Sequence, residues 1–90
     1  MTWQSKTAII GNSRGLHARA AAKLVKLADK FDAKIKVSRD NQVVSGHSIM
    51  GLMTLAASKG SKVIVKANGS EANQALNAIY KLITDNFHED

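Results

Sequence analysis

The sequence predicts an α+β domain of two layers: a four-stranded, mainly antiparallel sheet carrying three helices on one face, in the order β-α-β-β-α-β-α. Three observations predict it. Two long stretches repeat apolar residues at three- and four-residue steps, the period of a helix with one buried face. Shorter stretches alternate apolar and polar residues, the period of a strand with one buried side. Glycine- and asparagine-containing turns separate these stretches. An antiparallel sheet covered on one side leaves the other to water, which suits the polar residues alternating along the strands.

The elements follow in order. Trp3 to Ile10 is β-rich and stops at the loop Gly11-Asn12-Ser13-Arg14-Gly15. From His17 to Phe31 a helix is expected, because Ala21, Leu24, Val25, Ala28 and Phe31 fall on one face. Ala33 to Val37 alternates apolar residues with lysine, Asp40-Asn41 makes a turn, and Val43-Val44 begins the return of a hairpin that ends at Gly46. Ser48 is placed to cap a short helix carrying Ile49, Leu52, Met53 and Leu55, with Lys59-Gly60 as its expected stop. Lys62 to Ala67 alternates around Val63 and Val65 as the last strand. After Asn68-Gly69, Ser70 is a candidate cap and Glu71 suits the helix dipole. Ala72, Ala75, Leu76, Ile79, Leu82 and Ile83 then share one helix face.

Composition narrows the function. Ninety residues, without repeat or linker, are expected to form one domain over 1–90 with one modest core. The absence of cysteine removes disulfides, thiol nucleophiles and Cys-ligated zinc, and suits a reducing compartment. The absence of proline removes native cis X-Pro bonds and polyproline docking. No stretch approaches the roughly 20 apolar residues of a membrane span, and the first ten residues do not resemble a signal peptide, so a cytoplasmic protein without membrane insertion is expected. Thirteen Lys and Arg against seven Asp and Glu give a net charge of +6, which favours anionic partners.

The most informative segment is the glycine-bounded loop that runs into a helix opening His17-Ala18-Arg19. The first N–H groups of a helix lack intrahelical partners and carry the positive end of its dipole, so they favour an anion. A helix N-terminus also disfavours the imidazolium, which keeps a nucleophilic ring nitrogen available near neutral pH. A phosphoryl group accepted there would meet free N–H groups and Arg19, while a dipole contribution of roughly 0.3 to 1 kcal/mol leaves the group easy to pass on. Arg19, Lys23, Lys26 and Lys30, at spacings of four, three and four, form a stripe that Asp29 and Asp32 do not interrupt. A charged stripe is commonly a solvated helix face; beside an anion site it would also speed the encounter with an acidic partner. The second constellation is Ser48-Ile49-Met50-Gly51-Leu52-Met53. A helix this short cannot bury apolar residues all round. Leu52 belongs in the core, Met53 fits core or surface equally, and exposed Ile49, Met50 and Met53 would make an adaptable docking patch. Phosphorylation at Ser48 would add charge at its edge.

Gly15-Leu16-His17-Ala18-Arg19 opening an Ala-rich helix, followed thirty residues later by Ser48-Ile49-Met50-Gly51-Leu52-Met53, resembles the HPr phosphocarriers of the bacterial phosphotransferase system. The resemblance covers essentially the whole chain in length and element order. It implies an HPr-like open-faced β-sandwich and a phosphocarrier, not an enzyme. It further implies phosphorylation of His17 at Nδ1 by enzyme I, drawing on phosphoenolpyruvate, and onward transfer to a histidine of an enzyme IIA component. Arg19 would take the active-site arginine role, and Ser48 matches the position that HPr kinase/phosphorylase modifies in some bacteria. Ala20, Lys23, Lys26, Ile49, Met50 and Met53 would contact partners. No cofactor and no metal are implied, and a monomer is expected.

The sequence departs from the family pattern at Ala20, where His-x-Arg-Pro is usual. Proline there would restrict φ at the helix start, and its missing N–H would in any case lack an intrahelical acceptor; alanine holds the start less rigidly and adds a donor. Leu55-Ala56-Ala57-Ser58-Lys59-Gly60 and the end His88-Glu89-Asp90 look like NPr, the nitrogen-regulatory paralogue, whereas Ser48-Ile49-Met50-Gly51 looks more like HPr. A regulatory carrier is the preferred branch, with sugar uptake its competitor. Two readings from other classes compete. A small basic nucleic-acid-binding module would use the stripe from Arg19 to Lys30, but two Phe, one Tyr and one Trp leave little for base stacking. A docking adaptor would use the Ile49/Met50/Met53 patch and would not need His17. His47 and His88 are read as surface or structural residues. The three histidines lack short metal-ligand spacing, and no serine-histidine-acid or paired-carboxylate arrangement supports hydrolysis.

Overall fold

A computed structural model describes residues 2–89. The strands are β1 (Gln4–Ile9), β2 (Lys34–Arg39), β3 (Gln42–Ser45) and β4 (Lys62–Asn68); the helices are α1 (Ala18–Ala28), α2 (Ile49–Thr54) and α3 (Ala72–Thr84). A single 3-10 turn, Asn86–His88, follows α3. The sheet order is β1-β4-β2-β3, with every pairing antiparallel, so the last strand in sequence lies between the first and second.

Register explains the buried face. Val37 pairs with Val65, Ile35 with Ala67 and Ala8 with Val63, and all six are buried. Lys34, Lys36, Lys62 and Lys66, from the alternate positions of β2 and β4, are exposed. Two lysines of the sheet lie over aromatic rings, Lys36 on Trp3 and Lys6 on Tyr80, each 4.7 Å from the ring centre. The helices cover the apolar face. Ala21, Leu24 and Ala28 of α1 are buried, as are Ala72, Ala75, Leu76, Ile79, Leu82 and Ile83 of α3, as the spacing predicted; Val25 is only half-buried and Ala20 is buried in addition. Among the described residues, no helix is long and apolar enough to cross a membrane.

Three boundaries differ from expectation, and the turn after α3 was not anticipated. Helix α1 ends at Ala28 with Asp29 as cap, and Phe31 instead packs against the core from the turn that follows. Helix α2 ends at Thr54, well before Lys59-Gly60, because the chain reverses at Ala56 (φ 51°) to bring the Ala57 carbonyl onto Leu16 N–H at 2.8 Å. Ser70 does not cap α3: its hydroxyl donates to Asp32 Oδ2, Glu71 occupies the cap position, and Glu71 Oε1 accepts from Asp32 N–H at 2.8 Å. Asn86, Phe87 and His88 all have left-handed φ, at 57°, 56° and 60°, a backbone that costs L-residues of order 1–2 kcal/mol each. Complete burial of the Phe87 ring offsets that strain.

Candidate phosphoryl-acceptor site

The site begins with the loop before α1. Gly15 N–H donates to the Asn12 carbonyl at 3.1 Å, and the buried Asn12 side chain returns a bond from Nδ2 to the Gly15 carbonyl at 2.8 Å. Gly15 sits at φ 64°, where a Cβ would run into the Ala57 carbonyl oxygen, so the loop requires glycine on two counts. This fixed loop delivers His17 in extended backbone (φ −79°, ψ 179°) as the N-cap of α1. The first intrahelical bond runs from Ala21 N–H to the His17 carbonyl at 2.8 Å. The N–H groups of Ala18, Arg19 and Ala20 precede it and lack intrahelical acceptors.

The His17 side chain, 15% exposed, faces the C-terminal segment. Its Nε2–H donates to the Glu89 carboxylate, at 2.9 Å from Oε1 and 3.2 Å from Oε2. Among the described residues nothing hydrogen-bonds Nδ1. Asn12 Nδ2 also donates to Glu89 Oε1, at 2.8 Å. The Asn12 bond and then the His17 bond hold the Glu89 carboxyl below its ordinary range, outweighing desolvation, with the nearby charge of Lys23 a lesser help. Because the folded state depresses this pKa, the clasp stabilises the fold fully above the ordinary glutamate range and loses that contribution as acid protonates Glu89.

A cleft of about 300 Å³ lies beside the ring, lined by Arg14, Leu16, His17, Met53 and the segment Ala56 to Ser58. The two constellations read from the sequence therefore share one surface. Helix α2 presents Ile49, Met50 and Met53 outward, with Met50 73% exposed, while Leu52 is buried beneath them. Ser48 caps α2 through Oγ, which accepts from Gly51 N–H at 3.0 Å. Ser48→Ala is expected to lower stability by about 0.5–2 kcal/mol, read as a drop in the urea midpoint.

Two of the residues expected to contact partners are placed otherwise. Ala20 is completely buried, because the first turn of α1 seats it against the core, so it lies beneath the surface. Lys23 is half-buried and donates from Nζ to the Phe87 carbonyl at 2.6 Å, so it ties down the C-terminal turn. Arg19 and Lys26 are exposed. Lys23, Lys26 and Lys30 line a separate cleft of about 390 Å³ between α1 and α3, floored by Leu27 and Leu82 and joined by Lys81. His47 pairs with Asp29 at 2.7 Å, away from His17. The sequence reading missed Asn12 and Glu89 as members of the site. Asn12 was visible as a loop residue between glycines, but no local pattern ties residue 89 to residue 17.

Comparison with known proteins places these residues in a family context. A family model described as the PTS HPr component phosphorylation site matches residues 4–85. The phosphocarrier protein HPr of Cupriavidus necator is 45% identical over 86 residues, 96% of each chain. That of Pseudomonas aeruginosa is 43% identical over 87% of this chain and 88% of its own. Among solved structures, HPr-C-His from Thermoanaerobacter tengcongensis superposes with a TM-score of 0.92 at 41% identity, covering 97% of this chain and 98% of its own. HPr from Bacillus anthracis gives 0.87 at 35% identity, covering 92% and 99%.

Proposed function

Because the chain belongs to the HPr family of phosphotransferase-system phosphocarriers, we propose that it accepts a phosphoryl group on His17 Nδ1 from enzyme I, charged by phosphoenolpyruvate, and passes it to an enzyme IIA component. A phosphocarrier relays the group between catalysts and is not itself an enzyme. The observation that carries the site assignment is His17 at the head of α1, with Nε2 engaged by Glu89 and no hydrogen bond to Nδ1 among the described residues. The Nδ1 lone pair forms the new bond to phosphorus as the donor's bond to phosphorus breaks, and that electron pair leaves with the donor. The N–H groups of Ala18 and Arg19, the α1 dipole and the exposed guanidinium of Arg19 favour the incoming charge. Onward transfer reverses the step. The exposed Ile49, Met50 and Met53 beside the His17 cleft supply the docking surface, and the basic face of α1 hastens encounter with acidic partners.

We assign the chain to the cytoplasm and to the regulatory, nitrogen-type branch, on the Leu55–Gly60 run and the His88-Glu89-Asp90 end; a faster transfer to a sugar-type than to a nitrogen-type IIA would reverse the branch. Ser48 is the site for HPr kinase and ATP, which would leave an acid-stable phosphate absent from Ser48→Ala. The central test is incubation with enzyme I and phosphoenolpyruvate followed by native mass measurement. One acid-labile phosphate is expected, and an unlabelled protein with a competent donor overturns the carrier. Ala20→Pro is expected to change the phosphorylation rate less than about threefold, because Ala20 is buried and both His17 and Arg19 remain; an inactive parent rescued by proline would contradict this.

A further inference from the structure

The clasp on Nε2 comes from residue 89, beyond the 4–85 segment that the family model matches. We propose that Glu89 is a positioning residue for phosphoryl transfer, holding the His17 ring with its proton on Nε2 and its lone pair on Nδ1; the proposal rests on the carrier reading above. A carboxylate only accepts, so the ring nitrogen facing both of its oxygens must carry a hydrogen. In the neutral ring the other nitrogen is then the nucleophile.

Glu89 is placed by its surroundings. Asn12 Nδ2 holds Oε1 at 2.8 Å, and that side chain is buried and tied to the Gly15 carbonyl. Two residues before Glu89, the Phe87 ring is buried and its carbonyl is held by Lys23. The carboxylate thus sits on the same loop and helix that place His17. As Nδ1 bonds to phosphorus the ring gains positive charge while its proton stays on Nε2, and Glu89 lies against that charge. When the phosphoryl group departs, the pair of the breaking N–P bond returns to Nδ1 and the proton is still on Nε2.

Simple charge repulsion has the opposite sign: removing a carboxylate near an incoming anion should speed transfer. The two effects separate in Glu89→Ala and Glu89→Gln. The ring of ¹⁵N-histidine-labelled protein is read by NMR in alkaline buffer, where imidazole is uncharged, and phosphorylation is timed in single turnovers with saturating enzyme I and phosphoenolpyruvate. Glu89→Ala is expected to lower the ratio of Nε2–H to Nδ1–H tautomer on the order of tenfold, the weight of one hydrogen bond to a charged group. Its maximal rate should fall several-fold, with the half-saturating enzyme I concentration unchanged. Glu89→Gln keeps an acceptor oxygen and should recover part of both. A labelled wild type whose tautomer ratio does not respond to Glu89→Ala, or whose alanine variant is phosphorylated as fast or faster, overturns the proposal alone. A wild type that takes no phosphate overturns the carrier reading and this one with it.

Discussion

His17→Ala is expected to reduce acid-labile labelling by enzyme I and phosphoenolpyruvate to background while leaving the fold in place. The loss should be complete because no neighbour can substitute. His47 is engaged with Asp29, and His88 lies at the cleft between α1 and α3. The variant loses the Nε2–Glu89 bond but no helix cap, so the cost in stability should be modest and leave the domain folded. A thermal melt beside the labelling assay separates the two effects. Residual labelling in a folded variant would move the acceptor elsewhere. Full labelling loss with full retention of IIA binding would distinguish the carrier from a docking adaptor, which has no need of the ring.

Phe87→Ala is expected to produce the largest loss of stability, about 3–5 kcal/mol from burial and cavity terms. Against a net stability of roughly 5–15 kcal/mol this is a large share, corresponding to a fall in Tm on the order of 15–25 °C for a domain of this size. The ring is fully buried and holds three consecutive left-handed residues in place. Its removal should release the turn, so the variant should also carry a slower His17 at temperatures where it is folded. Calorimetry gives the first quantity and single-turnover labelling the second. A loss below about 1 kcal/mol would mean that the C-terminal turn contributes little to the folded state.

The sequence made the helices and the sheet legible because their signals are local. The apolar faces of α1 and α3 repeat at helical spacing, and the lysines of β2 and β4 alternate with valine, isoleucine and alanine. Boundaries were less legible where tertiary contacts set them. Ala56 turns left-handed so that Ala57 can receive Leu16, and nothing near Ala56 announces a partner forty residues earlier. Ser70 and Glu71 both read as helix starters, but each makes a bond to Asp32 instead of a side-chain bond to its own helix. At the site, His17 and Ser48 were visible because loop, helix start and cap are adjacent in sequence. The pairing of Asn12 with Glu89 was not, because its 77-residue separation closes only in the folded chain.

That separation has a consequence for synthesis. The pairing of β1 with β4 and the clasp of residue 17 by residue 89 join segments far apart in the sequence. Such non-local contacts form only after long loops close, which slows folding relative to a helical domain. On the ribosome, His17 is made 72 residues before its Nε2 partner. A chain not yet extended to Glu89, or not yet folded around it, therefore displays the imidazole without the carboxylate against Nε2, and under the proposal above its tautomer is set only when that contact closes.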